Sequence, residues 1–228
     1  MLRLPRTLLA AVTLMGAAAV GTAHANSQDT IRAMSGAQPI DHLPAGRTAL
    51  LVIDYQNEYF TGRMPIPGGA SAMARTRDLI DFADKSSIPV YHVQHLAPQG
   101  SALFAKGGET IKFHVDMQPR PQDTVVQKTT VSVFASTDID RQLKARNIDT
   151  LIITGLMTHA CVAGAARDAA PLGYKVVVAS DATATRSITR LDGTAVDANA
   201  LHNAALAEIE DTFGDVLPSA AIRQLPVR

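Results

Sequence analysis

The sequence predicts one α/β domain: a mainly parallel, doubly wound, six-stranded sheet with helices on both faces, a three-layer sandwich. Three observations predict it. From Thr48 onward, short apolar runs alternate with helical stretches, the pattern of strands buried on both faces and joined by crossover helices. Of 228 residues, 46% are hydrophobic and 18% charged, the balance of an ordinary globular core. No internal repeat or low-complexity segment interrupts the alternation, and the length suits a single domain.

Taken in order, the chain opens on a segment with a different character. Arg3 and Arg6 precede an almost purely apolar run, Leu8 to Val20, and Ala23-His24-Ala25 follows as a small-x-small pattern. This is the layout of a secretory signal peptide. The run falls short of the roughly 20 residues that span a bilayer. Residues 1–25 are therefore expected to be removed by cleavage after Ala25, leaving a periplasmic or secreted protein without membrane contact. Residues 26–46 are polar and aperiodic and read as a loose N-terminal arm. The folded domain is 47–228.

Six strands follow. Ala49-Leu50-Leu51-Val52-Ile53 is an unbroken apolar run, as a strand buried on both faces requires. Residues 88–93 form the second, with Pro89 near its start, and 124–127 the third. Residues 150–154, 175–179 and a weaker 213–217 complete the set. Between them, 71–85 places Met73, Leu79, Ile80 and Phe82 along one helical side. Residues 137–146 begin with a capping-box pattern, Thr137-x-x-Asp140, and carry Ile139 and Leu143 four apart. An alanine-rich helix is predicted over 158–172, and another over 198–210 with Leu201, Ala205, Leu206 and Ile209. Residues 96–123, with Gly100, Gly107, Gly108, Pro119 and Pro121, read as a long loop of the kind that forms lids and binding walls.

Composition excludes several classes of function. Basic and acidic side chains number 21 each, so no basic excess is available to displace counterions from nucleic acid. One cysteine permits no intramolecular disulfide and no multi-thiolate metal cluster.

In an open parallel sheet the ligand crevice lies beyond the carboxyl ends of the strands. Strand one ends at Asp54, strand three at Lys128, and strand four runs through Gly155 into Thr158-His159-Ala160-Cys161. An acid, a lysine and the sole thiol thus reach one edge. Thr158 as N-cap would set Cys161 at the third helical position, where backbone amides and the helix dipole lower a thiol pKa. The bland alternatives are an inert core thiol at Cys161, a cap or turn former at Asp54, and an exposed strand end at Lys128. As a set, the three suit a nucleophile, its general base, and a cation that holds both charges.

These residues resemble those of the isochorismatase-like cysteine hydrolases, amidohydrolase branch. The resemblance rests on Leu51-Val52-Ile53-Asp54-Tyr55-Gln56-Asn57-Glu58-Tyr59-Phe60, on Lys128 with Ser132-Val133-Phe134 and Thr137, on Gly155-Leu156-Met157-Thr158-His159-Ala160-Cys161-Val162, and on Asp181-Ala182-Thr183-Ala184-Thr185. It spans roughly Thr48 to Leu217. It implies a Rossmann-like sheet ordered 3-2-1-4-5-6, a catalytic triad of Asp54, Lys128 and Cys161, and a cis peptide between Leu156 and Met157. It further implies an oxyanion hole from the backbone amides of Met157 and Cys161, and relatives that usually form homo-oligomers. Cys161 would attack an amide-like carbonyl, and water activated by Asp54 would hydrolyse the resulting thioester.

Two departures narrow this expectation. No Asp-x-His segment follows Asp54, so the metal of nicotinamidases is not expected, nor is any cofactor. True isochorismatases typically lack the cysteine, so its presence favours C–N cleavage of a small amide or carbamoyl substrate. A vinyl-ether hydrolase and a catalytically silent thiol-sensing or binding protein are the alternatives. His92 and His95, three apart on a strand, point to opposite faces. His95 is the pocket candidate of the two, and His159 is expected to face outward or toward a neighbouring subunit. Tyr55, Gln56, Phe60 and Phe134 are candidate substrate-pocket walls, or simple packing.

Overall fold

The computed structural model describes residues 28–228. The predicted signal peptide therefore lies outside the described residues. The elements are α1 (Ile31–Met34), β1 (Thr48–Ile53), α2 (Gly69–Lys85), β2 (Val90–His95), β3 (Thr124–Lys128), α3 (Val133–Ser136), α4 (Ile139–Ala145) and β4 (Thr150–Leu156). They continue with α5 (Ala163–Ala169), β5 (Lys175–Ala184), a small antiparallel ribbon of β6 (Ile188–Thr189) and β7 (Ala195–Val196), α6 (Ala198–Thr212), β8 (Asp215–Leu217) and α7 (Ser219–Ile222). The main sheet has the order β3-β2-β1-β4-β5-β8, and every neighbouring pair is parallel. This is the expected six-stranded order.

The sequence pattern explains the layering. All six residues of β1 are buried, so no polar alternation is needed. Leu50 and Val52 face one core with Met73, Leu79, Ile80 and Ala83 of α2 and Ile222 of α7. Ala49, Leu51 and Ile53 face the other, with Ile139 and Leu143 of α4, the alanines of α5, and Leu206 and Ile209 of α6. Gly155, at φ 128°, lets β4 approach β1 closely: a Cβ there would stand 2.1 Å from the Ile53 carbonyl oxygen. Among the described residues, no helix is long and apolar enough to cross a membrane.

Several local expectations are corrected. The alanine-rich segment is not one helix: residues 158–162 form a π-helical turn, α5 follows, and a 3-10 turn at 170–172 ends it around Pro171. The capping box is not made. Thr137 Oγ1 does accept from the Ile139 amide at 3.2 Å, but the Asp140 carboxylate turns to Lys144 and Tyr174 instead of back toward the cap. The described part of the arm is not loose either. The Asp215 carboxylate binds Arg32 and accepts from the Ile40 amide, and the Leu43 amide donates to the Pro226 carbonyl at 2.8 Å. Bonds of this kind leave no hydrophobic period to read. The 96–123 connection is stitched to the segment after β1, through Asn57 N to Lys112 O at 2.9 Å and Glu58 N to Thr110 O at 2.8 Å.

Candidate active site

Three strand ends build the site. The chain leaves β1 through Asp54, whose φ of 55° turns the backbone sharply while its amide still donates to the Val93 carbonyl. Parallel register sets His95 of β2 beside Lys128 of β3. After β4 the Leu156–Met157 peptide is cis, as the resemblance implied, and the π-helical turn that follows carries Cys161. Asp54, Lys128 and Cys161 thus converge at the carboxyl edge of the sheet.

Lys128 is the hub of this cluster. Its Nζ lies 2.7 Å from Asp54 Oδ2, 2.8 Å from His95 Nδ1, 3.2 Å from the Thr130 carbonyl oxygen and 3.3 Å from Cys161 Sγ. An ammonium has three protons and no lone pair, so it donates, and His95 Nδ1 must accept. Asp54 and Lys128 are fully buried, and Cys161 is nearly so. The ammonium meets the carboxylate as an ion pair off the axis of an aligned hydrogen bond. Both Asp54 oxygens therefore keep lone pairs open to a proton.

Burial dominates the electrostatics. It raises the Asp54 pKa above the ordinary carboxylate value, and the Lys128 charge opposes that rise. The Cys161 thiol is pushed up to about 12, first by burial and then by the Asp54 charge, against the pull of Lys128. The expected lowering of the thiol pKa is thus corrected. Met157 stands at the cap position of the turn, and Thr158 Oγ1 is bonded to His202 Nδ1 at 2.9 Å. Helix-end amides do not outweigh the loss of water. Burial and the Lys128 charge also lower the His95 pKa to about 4, so its ring is neutral near pH 7.

Asp54, His95 and Cys161 offer an oxygen, a nitrogen and a sulfur within 4.8 Å of one another, a donor set that suits a small divalent cation. The Lys128 ammonium contacts all three donor residues. The place of a cation is thus filled by the protein itself. Among the described residues, the Met157 N–H donates to no protein acceptor.

The other expected pocket walls are mostly structural. Tyr55 is fully buried, with its hydroxyl bonded to Thr76 and the Ala182 carbonyl, because it packs beneath α2 instead of following Asp54 to the edge. Gln56 spends its amide on backbone: Nε2 donates to the His95 and Ile111 carbonyls, and Oε1 accepts from the His95 amide at 2.8 Å. It holds His95 in place. Phe134 lies beside Tyr174 on the α3–α4 flank, and Phe60 packs at a tilt against His114, ring centroids 4.4 Å apart. His159, expected to face outward or toward a neighbouring subunit, is half-buried and bonded to Thr185 Oγ1 at 2.6 Å. His92 lies buried against Asp123, apart from His95 as strand alternation requires.

Three neighbours of the cluster went unassigned in the sequence. Tyr59 is buried, and burial, helped by the Asp54 charge, holds its hydroxyl protonated. Phe104 packs against both Tyr59 and His95. Arg186, just past β5, holds a buried Nε with no partner among the described residues. Tyr59 carried a signal through its place five residues after Asp54 in the first motif, and Phe104 one through its place in the 96–123 loop.

Comparison with known proteins agrees with this picture. The profile described as the isochorismatase domain matches residues 48–221. A secreted isochorismatase effector of Verticillium dahliae is 32% identical over 175 residues, covering 77% of this chain and 90% of that protein. A ureidoacrylate amidohydrolase of Variovorax paradoxus is 37% identical over 112 residues, covering 49% of this chain and 40% of the other. The crystal structure of a putative isochorismatase from Burkholderia xenovorans superposes with a TM-score of 0.74 at 36% identity, covering 78% of this chain and 86% of that one.

Proposed function

The chain belongs to the isochorismatase family, and from that premise we propose that it is a cysteine hydrolase cleaving the C–N bond of a small amide or carbamoyl compound. The observation that carries the proposal is the buried Lys128 ammonium, in contact with both Asp54 and Cys161. Similarity to an amidohydrolase supports the same reading.

In this reading Asp54 takes the thiol proton as the sulfur attacks the carbonyl carbon, so no free thiolate need accumulate. The backbone amides of Met157 and Cys161 receive the developing oxyanion. Asp54 returns the proton to the nitrogen, the C–N bond breaks, and an amine or ammonia leaves a thioester on Cys161. Water then gives a proton to Asp54 and attacks the thioester carbon. The C–S bond breaks, and Asp54 reprotonates the sulfur. Lys128 keeps Asp54 ionised at the start of each half-reaction.

Intact-protein mass spectrometry during incubation with candidate amides tests this proposal. An acyl adduct on Cys161 with concurrent amine release is the expected result. Turnover that survives Cys161→Ala would point instead to ether cleavage. We further propose export, supported by the signal-peptide pattern of residues 1–25. N-terminal sequencing of the purified secreted protein should begin at Asn26.

A further inference from the structure

We propose that Phe104 sets the size of the acyl group this protein accepts, standing as an aromatic wall over the catalytic cluster. The inference rests on the reading of Cys161 as nucleophile. Place is the first argument. The Phe104 ring lies 4.7 Å from the His95 ring and meets Tyr59 edge-on at 5.4 Å, centroid to centroid. His95 is bonded in turn to Lys128, whose ammonium touches the Cys161 sulfur. Phe104 also shares one apolar cluster with Tyr59, Leu156 and Met157, the last two being the residues that lead into the Cys161 turn.

Conformation is the second argument. Phe104 has a φ of 53°, in the left-handed region where a bulky side chain is rarely found and backbone strain points to function. The loop holds it there by closing on itself. The Ala97 amide donates to the Phe104 carbonyl at 2.8 Å, and the Lys106 amide to the Ala97 carbonyl at 3.1 Å. The ring is thus fixed over His95 against its own backbone preference, and it is only 6% exposed.

Chemistry is the third. Asp54 and Lys128 are paired with each other, so what the Phe104 and Tyr59 side of the cluster offers an acyl chain is apolar contact. The substrate class that fits is an amide with a short, compact acyl group. Longer chains meet the ring.

Acylation by p-nitrophenyl esters, acetate to hexanoate, reports on Cys161 by intact mass without amide turnover, once the lysine acylation registered in Cys161→Ala is subtracted. In the native protein the acylation rate should fall steeply with chain length. In Phe104→Gly, which suits the positive φ, the hexanoate-to-acetate rate ratio should rise about tenfold or more. Phe104→Leu should fall between the two. The ratio is insensitive to how much of the variant folds. Met117→Ala, which alters another buried residue of the same connection, should keep the native ratio. An unchanged ratio in Phe104→Gly, a flat native profile, or an equal shift in Met117→Ala would each overturn the proposal. Failure of the native protein to release amine from any amide would count against the hydrolase reading, while the acylation ratios still decide the role of Phe104.

Discussion

His95 and Lys128 stand opposite one another in the parallel β2–β3 register, and their side chains meet at 2.8 Å between Nδ1 and Nζ. With the ring neutral, the histidine accepts one of the three ammonium protons, and the remaining two are shared among Asp54, Thr130 and Cys161. It is a positioning residue for the lysine.

His95→Ala should therefore leave a buried ammonium proton without its acceptor, at a cost of about 1–3 kcal/mol. The expected result is a fall in kcat of about tenfold or more with little change in KM, and partial rescue by His95→Gln. Steady-state kinetics on the three proteins measure it. A change confined to KM would contradict the assignment.

Removal of one member of the buried Asp54–Lys128 pair should destabilise the fold by about 3–5 kcal/mol, since the remaining charge has no partner. The Asp54→Asn, Lys128→Met double variant should recover part of that loss. Urea midpoints for the four proteins of this double-mutant cycle give the coupling. Each single variant should also lose at least about a hundredfold in kcat.

The pH profile has a definite sign. In the proposed mechanism activity needs ionised Asp54, whose pKa is raised by burial, so the acid limb of kcat/KM should lie above the ordinary carboxylate range. Conservative loss of the opposing charge, in Lys128→Met, should move that limb to higher pH in whatever activity remains. A limb at or below the usual value for aspartate would contradict this account.

Stability should also respond to pH. The Cys161 pKa is raised to about 12, so the thiol's contribution is present below the unfolded value near 9 and is lost as pH rises above it. Denaturation midpoints should decline from pH 9 to 11 in the native protein and less so in Cys161→Ala. His95 has the opposite sense: its pKa is lowered to about 4, so its contribution is present above the ordinary histidine range and lost as pH falls toward 4.

Gly155→Ala should cost about 3 kcal/mol or more, since its Cβ meets the Ile53 carbonyl oxygen at 2.1 Å and φ is 128°. Soluble yield and thermal midpoint report the loss.

The parallel architecture was readable because the apolar runs of β1, β4 and β5 are long and unbroken. Asp54, Lys128 and Cys161 were readable because parallel strands deliver their carboxyl ends to one edge. What happens just past a strand end was not readable. Asp54 adopts a positive φ, so the alternation that should point Tyr55 and Gln56 is reset, and both side chains are taken up by backbone and α2. The thiol pKa was misjudged because position in a turn is visible in sequence and depth of burial is not. Phe104 was legible as a residue of the long 96–123 loop, but its contacts were not, because they depend on loop closure between Ala97 and Ala105.

In the proposed mechanism the thiol stays protonated until Asp54 accepts its proton, and this bears on the durability of the protein. Peroxides and disulfides attack the thiolate far faster than the neutral sulfur, and they must first reach it. By keeping Cys161 neutral and 5% exposed, the resting site holds its sulfur in the form least open to oxidative damage. Reactivity is drawn out by the reaction and is not stored in the waiting protein.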